Sequence, residues 1–238
     1  MAHSSGLVAR NTSSPPSVPV VEFTDNYGNL CQRLVAPPGN FKIHTAAQVM
    51  TSDVIDNAPG APFVDIHRLP DNVLSFLLPS RYCESESFNQ MTVEITAGQL
   101  LGYDQVAAIE TWLRETISYI PESSDDPISA IRVNQKQSGV CRDLAHLGIA
   151  RCRSISIPAR LVVGYNYGLV PMDMHAWFEA YVGGRWYAFD ATQEEMTPGY
   201  VAIGYGREAA DVAVYNQFGP SVYHISQDVS VELVEVEE

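Results

Sequence analysis

The 238-residue sequence has few basic residues and little charge overall. It contains 14 lysines and arginines against 28 aspartates and glutamates, which gives a net charge of −14 at pH 7. Nucleic acids and anionic membranes attract basic surfaces, so this balance argues against both as partners. Charged residues make up 18% of the chain and hydrophobic residues 46%, which argues against disorder. We therefore expect a folded acidic protein that binds neither nucleic acid nor membrane.

Signals for membrane insertion, secretion and metal binding are also missing. No run approaches the roughly 18 apolar residues that span a bilayer, and residues 1–16 lack the apolar centre of a signal peptide. The four cysteines have neither C-x-x-C spacing nor a histidine at zinc-ligand spacing; they are Cys31, Cys83, Cys141 and Cys152. We expect a cytoplasmic protein with reduced thiols and with no metal or other cofactor.

The chain divides by composition into three parts. Residues 1–15 include a stretch at 4–10 that looks like a vector-derived linker, so we expect a tag or a disordered segment there. Residues 16–62 contain short apolar runs around turn-forming Asn and Gly, which predicts an N-terminal β region. The Pro- and Gly-rich stretch 57–62 is the predicted linker to residues 63–238, the predicted catalytic core with C-terminal strands.

The core combines helical and strand patterns. Apolar residues at three- and four-residue steps predict a helix over 104–120, and a second helix is predicted over 138–154. Three apolar runs follow, at 160–166, 174–182 and 185–191. Gly183-Gly184 between the last two runs predicts a hairpin with a two-residue turn. Helices followed by an antiparallel sheet indicate the α+β fold class.

Cys141 carries the clearest chemical signal among the cysteines. Ser138 is a predicted N-cap, which places Cys141 in the first turn of the second helix. The free N–H groups and the dipole at that end stabilise a thiolate and lower the pKa of a thiol. The alternative is a small packing residue without chemistry, the more common role of a lone cysteine.

The face of the helix that carries Cys141 is made of small residues. Cys141, Ala145, Gly148 and Cys152 follow helical spacing and share this face, which lets another layer approach closely. Cys152 lies about 16 Å along the helix from Cys141, too far for a disulfide. We therefore predict a packing role for Cys152.

The predicted hairpin places a histidine and an aspartate on one face of the sheet. With a two-residue turn, position 182 pairs with 185 and 177 with 190, so Asp190 lies one diagonal step from His175. A carboxylate there accepts a hydrogen bond from the imidazole and fixes its tautomer. A one-residue slip would separate the two residues, and a solvated strand face is the alternative interpretation.

Cys141, His175 and Asp190 together have the residue types of a nucleophile, a base and an orienting group. A thiolate activated in this way attacks an amide carbonyl and forms a thioester. Backbone N–H groups at the helix start, including that of Cys141, are candidate oxyanion donors. Gln137 is a further candidate donor, whereas we expect structural roles for Asp143 and for His146, which lies off the Cys141 face.

Four segments, in this order, resemble motifs of the bacterial transglutaminase-like proteins, a family that includes cysteine proteases. They are residues 138–147 around the cysteine, 157–165 after it, 174–179 around the histidine and 186–192 around the aspartate. A fifth stretch, 203–213, is similar, although Glu208 stands where the family more often has Asp. Weaker similarity extends from about residue 16 to residue 235.

The resemblance implies a papain-like core preceded by a partial β-sandwich-like region. It also implies that Cys141 is the nucleophile, His175 the base and Asp190 the orienting residue. The chain shows no calcium-loop spacing of the kind on which the animal enzymes depend, so no metal is expected.

The resemblance leaves the reaction open, because the superfamily includes transglutaminases, peptidases, amidases and members that have lost catalysis. We expect hydrolysis of a peptide or amide substrate, since an unspecialised site open to water will hydrolyse its thioester. The alternatives are acyl transfer from a protein glutamine to an amine and a non-catalytic binding module. Assembly into a homo-oligomer is left open.

Overall fold

The computed structural model describes residues 6–13, 18–121 and 126–234. In chain order the strands are β1 Gly6–Ser13, β2 Val21–Thr24, β3 Leu30–Arg33, β4 His44–Met50, β5 Ser118–Tyr119, β6 Ser138–Gly139, β7 Ala159–Asn166, β8 His175–Val182, β9 Arg185–Phe189 and β10 Tyr200–Gly206. The helices are α1 Asn89–Ile95, α2 Tyr103–Thr116, α3 Ala130–Lys136 and α4 Cys141–Ser154. This mixture of helix and antiparallel sheet confirms the predicted α+β class. None of the helices in the described ranges is long and apolar enough to cross a bilayer.

A four-stranded antiparallel sheet forms the centre of the fold, with strand order β10-β7-β8-β9. The pairing of Val182 with Arg185 and of Phe178 with Phe189 confirms the two-residue turn predicted at Gly183-Gly184. Alternate residues of β8, from Ala176 to Val182, enter the main hydrophobic core. The other face of β8 is buried as well, since Trp177 packs in a second cluster with Tyr200.

Helix α4 packs directly on β8 through its small residues. A Cβ atom added at Gly148 would lie 2.7 Å from Cε1 of Phe178, well inside contact distance. Ala145 and Cys152, on the same face, belong to the same core cluster. The small-residue face therefore brings the axis of α4 close to β8, the strand that carries His175. This confirms the close approach that the spacing predicts.

The C-terminal end of α4 is fixed by two buried charged residues. Arg153 donates hydrogen bonds to the carbonyl oxygens of Leu78, Ala159 and Arg207. Glu208 accepts a hydrogen bond from the backbone N–H of Tyr82 at 2.5 Å. The Arg153 bonds join the helix end to β7, to the segment before α1 and to the stretch after β10, and the Glu208 bond joins the last two of these to each other.

Helix α4 begins later than predicted. Val140, not Ser138, is its N-cap, and Cys141 is the first helical residue. Ser138 pairs instead with Ser118 in the short parallel contact of β5 with β6, which removes it from the helix. The Asp143 carboxylate accepts a hydrogen bond from the Val140 N–H at 3.3 Å, so the free donor at the helix start is satisfied from within the first turn.

The N-terminal region forms two separate hairpin-like pairs, β1 with β4 and β2 with β3. Gly6–Ser13 pairs as an antiparallel strand with β4, and the expected tag or disordered segment over residues 1–15 stays a prediction. Strand pairing uses backbone groups, so a segment without a hydrophobic pattern can add to an open edge. The proposed vector origin of these residues stays a prediction.

The N-terminal β region contacts the core at defined points. The side-chain amide of Asn29 donates to the carbonyl oxygen of Tyr205 and its oxygen accepts the Tyr205 N–H, both at 2.7 Å. In the predicted linker, the Pro62 carbonyl accepts the N–H of Gly183 at 2.7 Å. The division at residues 62 and 63 stays a prediction, and both sides of it contact the central sheet.

We predict that Gly148→Ala will destabilise the protein by about 1–3 kcal/mol, because the added methyl group meets the Phe178 ring in a filled core. The loss will exceed the gain of up to about 1 kcal/mol that alanine brings to a helix interior. Urea unfolding measures both effects.

The control is the double variant Gly148→Ala, Phe178→Leu, compared with Phe178→Leu alone. In the smaller pocket the alanine substitution should cost little or should stabilise the protein. A Gly148→Ala single variant that is as stable as the wild type would contradict the close contact of α4 with β8.

Candidate active site

Cys141 lies at the N-terminal end of α4, where the chain leaves a short parallel strand contact. The N–H of Ile120 donates to the carbonyl oxygen of Gly139 at 2.9 Å, just before the helix starts. The Cys141 side chain is partly exposed, in contrast to the buried Cys83 and Cys152. As the first helical residue, Cys141 has a backbone N–H without a partner in the helix.

His175 and Asp190 are in direct contact at the ends of neighbouring strands. His175 is the first residue of β8, and Asp190 follows the last residue of β9. Nε2 of His175 lies 2.6 Å from Oδ2 of Asp190, and both side chains are only 1% exposed. The hairpin register predicted from Gly183-Gly184 brings these two residues together.

The two ring nitrogens of His175 have different surroundings. Nε2 is bound to Asp190, whereas Nδ1 is buried and has no hydrogen bond of good geometry to any described residue. Burial lowers the pKa of His175, but the hydrogen bond and charge of Asp190, together with the nearby Cys141 thiol, outweigh burial and raise the pKa to about 10. The structure therefore places the thiol of Cys141 beside the histidine that Asp190 holds.

The Asp190 carboxylate is fixed by four hydrogen bonds. Oδ1 accepts from the backbone N–H and the hydroxyl of Thr192, at 3.0 and 2.7 Å. Oδ2 accepts from His175 and from the Tyr200 hydroxyl at 2.7 Å. Burial acts to raise the pKa of Asp190, but these partners outweigh it and hold the pKa below its ordinary value. Asp190 is therefore an ionised carboxylate in a buried place.

Sequence reasoning missed three residues of this site. Thr192 had a local signal, because an Asp side chain often accepts the backbone N–H two residues further along the chain. Tyr200 had none, since its contact depends on β10 joining the sheet beside β7. Tyr119 faces the site from β5, and burial together with the charges of Cys141, Asp190 and Asp173 raises its pKa to about 12.

The other residues considered from the sequence lie away from the chemistry. Gln137 is exposed at the end of α3, and its amide donates to the carbonyl oxygen of Asn134. Asp143 is buried beside Arg142 at 3.3 Å and caps the start of α4. The structure thus offers no support for Gln137 as an oxyanion donor, and the contacts of Asp143 are structural.

His146 is a second buried histidine, and its pKa is shifted in the opposite direction to that of His175. Its Nδ1 lies 3.2 Å from the carbonyl oxygen of Ile128, and its Nε2 accepts the N–H of Ala209 at 3.1 Å. Burial is the largest effect and lowers the pKa of His146 to about 3. The neutral ring joins α4 to the chain after β10, which agrees with the expected structural role.

The remaining cysteines and histidines form no second site in the described ranges. Burial raises the pKa of Cys83 to about 12, and it also raises the pKa of Cys152. Among the described residues, no group of three or more His, Cys, Asp or Glu side chains could hold a metal ion. The expectation that no metal is needed stays a prediction.

Comparisons with known proteins bear on this arrangement. The family model of the transglutaminase-like superfamily matches residues 89–191, a span that contains Cys141, His175 and Asp190. The crystal structure of a candidate cysteine protease from Cytophaga hutchinsonii is 38% identical, with a TM-score of 0.80 over 89% of this chain and 74% of that chain. The protein belongs to the transglutaminase-like superfamily.

A curated relative is known from Mycobacterium leprae. The uncharacterized protein ML0607 is 36% identical over 117 residues, which cover 45% of this chain and 42% of that protein. The chain thus matches less than half the length of this relative. Superfamily membership and the likeness to the Cytophaga protein support a cysteine-based enzyme.

The pKa values of the two buried histidines, His175 and His146, can be measured by imidazole NMR. We predict that the His175 ring will lose its proton at about pH 10, whereas the ring of His146 will stay neutral from pH 5 to pH 11. Asp190→Asn should lower the His175 midpoint by two pH units or more, because it removes the carboxylate that stabilises the imidazolium.

Substitution of each histidine by glutamine assigns its signals, and His146 is the internal control. A His175 midpoint that is unchanged in a folded Asp190→Asn variant would show that the 2.6 Å contact does not control the ring.

Proposed function

We propose that this protein is a cysteine hydrolase that cleaves a peptide or amide bond through a thioacyl intermediate. In this proposal Cys141 is the nucleophile, His175 the base and Asp190 the orienting residue. One observation carries it: a buried carboxylate binds Nε2 of His175, Nδ1 is left without a hydrogen bond, and the partly exposed Cys141 thiol is close enough to raise the pKa of the ring. This is the arrangement that a thiol nucleophile needs for activation.

The chemistry proposed for the site uses one ring nitrogen for each proton transfer. Nδ1 of His175 takes the thiol proton, and the raised pKa of the ring favours the resulting imidazolium. The sulfur then attacks the substrate carbonyl, and the imidazolium gives its proton to the leaving amine. A water molecule that loses a proton to the same nitrogen hydrolyses the thioester and restores the enzyme.

The oxyanion of each tetrahedral intermediate needs donors close to the sulfur. We assign this role to backbone N–H groups at the start of α4, with that of Cys141 first, because the N-terminal N–H groups of a helix are unpaired and the helix dipole favours negative charge there. Such donors are worth several kcal/mol in acyl transfer when they are aligned before the reaction.

The acyl acceptor that we propose is water. Transfer to an amine requires a site that holds the amine and excludes water, and no described residue of the site points to such a pocket. The labelled-amine experiment below separates the two reactions. We also propose that the substrate is a peptide or an amide, that the enzyme acts in the cytoplasm, and that neither nucleic acid nor membrane is a partner.

We predict that iodoacetamide will alkylate Cys141 at pH 7 at least ten-fold faster than Cys31, which is also partly exposed. Burial and the nearby Asp25 raise the pKa of Cys31, whereas His175 accepts the proton of Cys141. Peptide mapping by mass spectrometry measures both rates in one sample. His175→Gln should remove the difference, and Cys31→Ala is the matched control that should leave the Cys141 rate unchanged.

The fate of the acyl group is tested with a peptide and amide library in the presence of a labelled primary amine. Free acid without label is the expected product, and Cys141→Ala should abolish it. Incorporation of the amine into a glutamine peptide would show that the protein catalyses acyl transfer to an amine and would overturn the proposed hydrolysis. Equal alkylation of Cys141 and Cys31 in the folded protein would refute the proposed catalytic site.

A further inference from the structure

Asp190 lies just beyond the end of the strand that precedes it. The last pair of the β8–β9 ladder joins Phe178 to Phe189, so the ladder stops one residue before Asp190. A residue outside the ladder has no interstrand bonds to hold its backbone, yet the position of this carboxylate determines where the His175 ring lies. Other contacts must therefore fix the backbone of Asp190.

These contacts come from two side chains of α2. Oε1 of Glu110 accepts the backbone N–H of Asp190 at 2.7 Å. Nε of Arg114 donates to the carbonyl oxygen of Gln193 at 2.7 Å, and its Nη2 lies 3.5 Å from the carbonyl oxygen of Asp190. The two side chains hold both ends of the turn formed by residues 190–193.

Glu110 and Arg114 also bind each other. They are four residues apart on one face of α2, and Nη2 of Arg114 lies 3.4 Å from Oε1 of Glu110. The Glu110 side chain is 16% exposed and that of Arg114 is 30% exposed, so the pair is partly shielded from water. The ion pair fixes each side chain in the orientation that reaches the turn.

A carboxylate at position 110 is electrostatically costly. Burial raises the pKa of Glu110, Arg114 and the Asp190 N–H lower it, and the negative charge of Asp190 raises it further. A neutral or apolar side chain would pack at this place without that cost. The backbone bond to Asp190 gives this costly group a role, because an acceptor is needed where the ladder has ended.

We infer that Glu110 and Arg114 are positioning residues that hold the Asp190 turn and, through it, the orientation of the His175 ring. The inference rests on the proposed function, since it assigns a role to the orientation of His175. Without the pair, the turn keeps the bond from the Gln193 N–H to the Asp190 carbonyl at 3.3 Å and the Thr192 bonds to the carboxylate. The Tyr200 hydroxyl still holds the carboxylate at 2.7 Å, but it binds the side chain and leaves the backbone of the turn unattached to another element.

Glu110→Ala removes the acceptor, and Glu110→Gln keeps an oxygen at the same place while it removes the charge. The matched control is Glu115→Ala, which removes an exposed carboxylate from the same helix. The measured quantity is the midpoint of His175 ring titration by imidazole NMR. It reports on Asp190 and Cys141, which act on the ring, and on Thr192 and Tyr200, whose hydroxyls bind the Asp190 carboxylate.

We expect Glu110→Ala to lower the His175 midpoint by about one pH unit, a ten-fold loss of preference for the imidazolium. Alkylation of Cys141 at pH 7 should also slow in the same variant, because the displaced ring is less well oriented to accept the thiol proton. Glu110→Gln should retain most of the wild-type midpoint, and Glu115→Ala all of it. A purely structural role of Glu110 would lower thermal stability without moving the midpoint.

A folded Glu110→Ala variant with a wild-type midpoint would overturn the inference. If that variant does not fold, Arg114→Lys is the second test. The lysine keeps the charge but loses the planar group that reaches the turn carbonyls, so the midpoint should again fall; an unchanged midpoint overturns the inference there as well. Slow alkylation of Cys141 in the wild type would refute the proposed function instead, while the midpoint shift would still test whether the pair positions the ring.

Discussion

The close approach of α4 to β8 is the constraint on which the site depends. Gly148 lets the helix lie against the Phe178 ring, with no room for a side chain between them. Cys141 begins this helix and His175 begins this strand, so the helix-to-strand distance sets the distance from sulfur to imidazole. A bulkier face on α4 would move the Cys141 sulfur away from the His175 ring without changing either residue.

The electrostatics of the site are local. The chain carries a net charge of −14, which disfavours a thiolate if it acts at all. His175 and His146 are both buried in the same core, yet the pKa of one is raised and the pKa of the other is lowered. The difference comes from the immediate hydrogen-bond partners, because a carboxylate binds His175 whereas backbone groups of Ile128 and Ala209 bind His146.

Predictions from the sequence were correct where the signal was local. The Gly183-Gly184 turn determined the register of the hairpin and brought His175 to Asp190, and the spacing of small residues predicted the contact face of α4. The predicted start of α4 was wrong because Ser138 pairs with a strand twenty residues away in the chain. A residue type that favours helix N-caps does not start a helix where its backbone pairs with a strand instead.

The residues that hold Asp190 in place could not be predicted from sequence patterns. Tyr200, Glu110 and Arg114 all act on Asp190, but each arrives from an element whose place in the fold depends on long-range packing. From the sequence alone, the four-residue spacing of Glu110 and Arg114 indicates only an ordinary ion pair on a helix. Gln137 shows the converse, since its position before Cys141 suggested a role that its exposed side chain does not have.

The full set of bonds on Asp190 limits how protons can move in the site. Both oxygens already accept two hydrogen bonds each, and the Tyr200 hydroxyl and Thr192 hold them in place. A carboxylate with this many donors has no free lone pair for a further proton, so it stays a fixed negative charge throughout a turnover. In the proposed reaction, the mobile proton is then confined to a path between the Cys141 sulfur, Nδ1 of His175 and the bound reactants, and it cannot pass from His175 to Asp190.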